Sequence, residues 1–78
     1  MEMELTTQIS PFDVAREFDL ARAREEVGDT EGMALTSLLL RYIQRVYSMP
    51  FELARDVLNV LIRLGKLARS SFTTVRFL

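Results

Sequence analysis

Between Pro50 and Gly65 the chain carries a single narrow line of polar side chains. Glu52, Arg55, Asp56, Asn59 and Arg63, continued by Lys66, recur at spacings of three and four, which stacks them on one face of a helix. Nearly everything else from Phe51 to Leu64 is apolar: Leu53, Ala54, Val57, Leu58, Val60, Leu61 and Ile62. A helix that is apolar around most of its girth sits centrally in its own core or packs against a second chain. Pro50 suits a first helical turn and Gly65 a helix end, so the pattern predicts a helix over 50–64. Phe51, Leu53, Val57, Val60 and Leu64 are then candidates for a protein interface.

Size sharpens that constraint. Seventy-eight residues make one domain, 1–78, and a body this small buries only about 60–65% of the surface its unfolded chain exposes. Small scaffolds are usually stapled by disulfides, a metal or a second subunit. The chain has no Cys and no His, which removes disulfides and ordinary zinc sites. With 49% of its residues hydrophobic, self-association as a homodimer is the expected way to cover what is left over. Lack of Cys, an acidic start unlike a signal peptide and the absence of a long apolar run predict a cytoplasmic protein without membrane contact.

Charge divides the chain in two. Residues 1–40 hold nine acidic side chains against three arginines, and residues 41–78 hold seven basic against two acidic. Such a split can serve the fold, a self-complementary oligomer or a charged partner. Glu17, Glu25 and Asp29 are candidates for an acidic face that meets a basic partner. Arg41, Arg45, Arg55, Asn59, Arg63, Lys66 and Arg69 are candidates for contact with nucleic acid. All but one of the basic residues are Arg, which favours planar, bidentate contacts.

Local signals supply the remaining elements. Residues 1–9 alternate with a period of two, the mark of a half-buried strand. Ser10-Pro11 opens a helix over about 11–27 that Gly28 stops. Gly28 to Gly32 form a turn, and a second helix over roughly 31–47 buries Leu35, Leu38, Leu39, Tyr42, Ile43 and Val46. Residues 71–78 are β-branched and aromatic, which predicts a strand paired with residues 2–9, bringing Glu2 or Glu4 near Arg76. The expected fold is mostly α, of the α+β class: a three-helix core closed by a two-stranded ribbon, in the order β-α-α-α-β.

Catalytic chemistry is missing from the sequence. Without His or Cys the commonest bases, thiolates and transition-metal ligands are gone, so no enzyme, no metal, no cofactor and no small-molecule substrate are expected. Asp13 and Glu17 lie one turn apart on a solvated helix face. Glu25, Glu26, Asp29 and Glu31 surround a turn, but Leu40 stands where a calcium loop ends in Glu.

Three segments resemble known families. Leu58, Leu61, Leu64, Gly65 and Leu67, followed by Phe72-Thr73-Thr74-Val75-Arg76-Phe77, resemble the end of a winged-helix DNA-binding domain. The resemblance implies that the Leu-rich helix enters a major groove, with Arg55 on guanine, Asn59 on adenine, and Arg63, Lys66 and Arg69 on phosphates. Residues 3–47 resemble a ribbon-helix-helix repressor, which implies dimerisation through the N-terminal strand and DNA read by its outward side chains Glu2, Glu4, Thr6 and Gln8, of which Thr6 and Gln8 suit base edges and the two glutamates do not. Residues 18–43 resemble one helical hairpin of a tetratricopeptide-type repeat. None of the three spans the whole chain. The expected function is therefore a non-catalytic regulator, an inhibitor or adaptor of phage or plasmid type, that binds a protein partner or itself. A dimeric DNA-binding regulator is the second expectation.

Overall fold

The structure, a computed structural model, describes residues 10–78; the strand expected at residues 1–9 lies outside them. Four helices and three short strands follow in the order α1 (Pro11–Arg16), α2 (Leu20–Val27), β1 (Met33–Leu35), α3 (Thr36–Val46), α4 (Phe51–Arg63), β2 (Leu67–Arg69) and β3 (Thr74–Phe77). The fold is mostly helical with a small antiparallel sheet, the α+β class expected from the sequence.

α4 matches its expected span to within one residue at each end. Gly65 takes a left-handed backbone, φ 80°, and its N–H and that of Lys66 return to the carbonyls of Ile62 (3.1 Å) and Leu61 (3.0 Å). Those bonds satisfy carbonyls that a helix end otherwise leaves open. Ala54, Val57, Leu58, Val60 and Leu61 are buried, and α1, α3 and β2 pack around them.

The helix expected over 11–27 is broken in two. Phe18 turns into the core, stacks on Tyr47 at 5.2 Å between ring centroids and meets Tyr42 edge-on at 6.2 Å. Asp19 then starts a new helix, its carboxylate accepting from the Arg22 N–H at 3.1 Å. The aromatic contacts and the new cap outweigh the backbone hydrogen bonds that one continuous helix would add.

The helix expected over 31–47 begins later, because residues 33–35 form a strand. Asp29 folds the preceding turn: its Oδ1 accepts from the N–H groups of Glu31 (2.8 Å) and Met33 (2.9 Å). Gly32, at φ 80°, holds a backbone conformation that a side chain would strain. Its carbonyl accepts from the Phe77 N–H at 2.7 Å, which ties the turn to the last strand.

β3 lies in the middle of the sheet, in the order β1-β3-β2. Ala34 faces Val75 on one side, and Leu67 faces Phe77 on the other. These four side chains are buried and form the sheet's contribution to the core. The C-terminal strand expected over 71–78 is therefore present in its second half. Its partners among the described residues are β1 and β2, and β2 gives the sheet a third strand.

Candidate nucleic-acid interface

α3, the four residues 47–50 and α4 form a helix–turn–helix unit. The turn is closed by the Tyr47 N–H on the Ile43 carbonyl (3.0 Å) and the Met49 N–H on the Gln44 carbonyl (3.2 Å), with Ser48 left-handed at φ 53°. Met49 is buried beneath it, so the core itself fixes the angle between the two helices. β2 and β3 follow as a β-ribbon, whose tip is pinned by the Ser71 and Thr74 hydroxyls at 2.8 Å.

This frame turns the polar line of α4 outward. Glu52, Arg55, Asp56, Asn59 and Arg63 are all exposed, as are Arg69 and Arg76 on the ribbon. Among the described residues the side chains of Arg55, Asn59, Arg63, Arg69 and Arg76 make no ion pair or hydrogen bond. From Arg55 to Arg63 the stripe runs about 12 Å, two turns of helix rise. Phe72, at the ribbon tip, is 97% exposed.

Other basic residues have work inside the fold. Lys66 Nζ donates to the carbonyls of Ala15 (3.1 Å) and Arg16 (3.2 Å), closing the C-terminus of α1. Arg45 pairs with Glu26 at 3.2 Å and lies 5.8 Å from the Tyr42 ring centroid. Arg41 is exposed on α3, beside Leu40 and Gln44.

The acidic candidates lie on elements other than α4 and the ribbon. Glu17 follows α1 and Glu25 lies on α2, both exposed. Asp29 is exposed, but its carboxylate holds the Met33 and Glu31 amides, and these bonds keep its pKa below the usual carboxylate value. The apolar candidates divide as well. Val57 and Val60 are enclosed by the chain's own core and offer no surface to a partner; Leu53 is half-buried. Phe51 and Leu64 are exposed at the two ends of α4. Arg76 and Phe72 are exposed ribbon residues that sequence reasoning did not select. Arg76 was expected to pair with an N-terminal Glu, and nothing in the sequence distinguished an exposed Phe72 from a packed one.

Among the described residues, no group of three or more His, Cys, Asp or Glu side chains is placed to hold a metal ion. No described helix is long and apolar enough to cross a membrane. Compared with family models, curated proteins and solved structures, the chain finds no match in any of the three.

Proposed function

We propose that the chain is a non-catalytic DNA-binding regulator of winged-helix type. One observation carries the reading: an exposed line of Arg55, Asn59 and Arg63 on α4 stands directly after a helix and turn and directly before a basic β-ribbon. In helix–turn–helix domains the second helix enters the major groove. Arg55 then reads guanine through O6 and N7, and Asn59 reads adenine through N6 and N7. Arg63, Arg69 and Arg76 meet phosphates and set the register. Glu52 and Asp56 on the same face repel phosphates and accept from cytosine N4, so they favour sequence reading over indiscriminate binding. The ribbon-helix-helix and tetratricopeptide resemblances draw no comparable support, since β1 occupies part of the helix that each requires.

Selection of duplexes from a randomised pool at low salt tests this reading. The expected result is enrichment of one short motif that Arg55→Gln and Asn59→Ala relax at separate positions. A pool from which no duplex is retained contradicts it.

A second reading, a regulator that acts through a protein partner or a second copy of itself, is favoured by the exposed apolar side chains Phe12, Leu38, Val46 and Leu64. Light scattering at increasing concentration tests the self-associating form. A dimer that Leu38→Ser weakens supports it, and a monodisperse monomer contradicts it.

A further inference from the structure

A groove of about 550 Å³ lies where the start of α3, the first residue of α4 and the ribbon tip converge. Its size falls in the ordinary range of small-molecule sites. Leu40 is buried at this groove, while Leu35 is 47%, Phe51 49% and Phe72 97% exposed. Three large apolar side chains left open around one concavity mark a binding surface more than a random scatter of exposed residues would.

Among the described residues the charged side chain lining the groove is Arg41; its other polar residues, Thr36, Ser37, Gln44 and Thr73, are neutral. Arg41 lines it and makes no ion pair among the described residues. Thr36 lines it too, and its Oγ1 is cut off from solvent without a hydrogen-bond partner. A buried hydroxyl without a partner is costly and rare. α3 starts at this groove without a side-chain cap, although the Thr36 N–H already donates to the Thr73 carbonyl at 2.7 Å. Among the described residues no acidic side chain lines the groove.

We propose that this groove binds a small organic anion with an apolar body, an aryl-alkyl carboxylate. The carboxylate lies on Arg41, and the body lies against Leu40, Phe51 and Phe72. Cation and apolar walls together select this class over either an inorganic anion or a neutral hydrocarbon. Because Phe72 belongs to the ribbon and Phe51 to α4, the occupant bridges the two elements assigned to DNA. The site itself does not depend on that assignment, and either can fail alone.

The test is a titration of the ¹⁵N-labelled full chain, without DNA, using 4-phenylbutyrate and its neutral counterpart 4-phenylbutan-1-ol. Saturable amide shifts confined to residues 35–44, 51 and 72–73 are expected with the carboxylate. Its affinity should exceed that of the alcohol about tenfold, the order of one charge-assisted hydrogen bond. Arg41→Gln should abolish that preference, and Phe72→Ser should weaken both ligands; both positions are exposed, so the fold is kept. Absence of saturable shifts at millimolar ligand overturns the proposal. So do shifts centred elsewhere, or equal affinity for acid and alcohol.

Discussion

The segment from Asp19 to Gly32 and the segment from Phe51 to Phe77 use charge in opposite ways. In the first, carboxylates serve the chain itself. Asp19 caps α2, Asp29 folds the turn, and Glu26 pairs with Arg45 of α3 and, at 3.7 Å, with Arg22. In the second, Arg55, Arg63, Arg69 and Arg76 are exposed without such a partner among the described residues; only Lys66 is drawn inward. The charge split along the sequence is thus only partly cancelled within the fold. Asp19, Glu26 and Asp29 are engaged within the fold, whereas arginines without a partner among the described residues are, on the proposed reading, open to a polyanion.

This contrast can be broken at several points. Replacing Arg55, Arg63 and Arg69 together with Gln should have the largest effect. Duplex affinity should fall by at least about a hundredfold, since each base-reading or phosphate contact contributes on the order of 1 kcal/mol or more. The melting temperature should stay nearly unchanged, because none of the three packs in the core. A parallel loss of thermal stability would mean that these arginines serve the fold after all.

Lys66→Met should behave in the reverse manner. It removes the donor that closes α1, and equilibrium unfolding should report a loss of about 1.5 kcal/mol, the scale of a hydrogen bond from a charged group. Duplex affinity of the folded fraction should hold. Glu52→Gln with Asp56→Asn should tighten binding to non-target duplex by several-fold and narrow the gap between target and non-target sequences. A weaker non-target complex would argue that α4 does not face the phosphates.

The smallest effect is expected at Asp29. The Met33 amide first, and the Glu31 amide next, favour its charged form in the fold and lower its pKa. Its stabilising contribution is therefore complete above the unfolded carboxylate pKa, about 3.9, and fades as pH falls through the lower folded value. Asp29→Asn should lose that increment, so its stability should fall less steeply than the parent's below about pH 4. Identical acid limbs in the two proteins would remove the turn's electrostatic role. At the opposite end of the pH scale, burial raises the Tyr42 pKa.

Much of α4 was legible because its signals are local. Pro50 and Gly65 bracket it, and its polar line keeps helical spacing throughout. The break at residues 17–19 was not legible, because the apolar spacing on either side continues in phase. Only Tyr42 and Tyr47, far along the chain, reveal why Phe18 turns inward. β1 was hidden for a related reason. Three residues are too few to show alternation, and Met33–Leu35 become a strand through pairing with residues more than thirty-five positions away. β2 carries no periodic signal either, and the winged-helix resemblance placed β structure only at Phe72–Phe77, after it. In the site, spacing alone revealed the outward row of Arg55, Asn59 and Arg63. The inward use of Lys66 depends on carbonyls fifty positions away, and no spacing rule reaches that far.

The most direct measurement is fluorescence anisotropy of a labelled duplex titrated with the full chain across a series of salt concentrations. If Arg63, Arg69 and Arg76 meet phosphates, the logarithm of the affinity should fall linearly with the logarithm of salt, with a slope of roughly −3. Arg69→Gln should reduce that slope by about one. A chain that leaves the duplex free at the lowest salt, or whose binding ignores salt altogether, would contradict the assignment of these arginines to DNA.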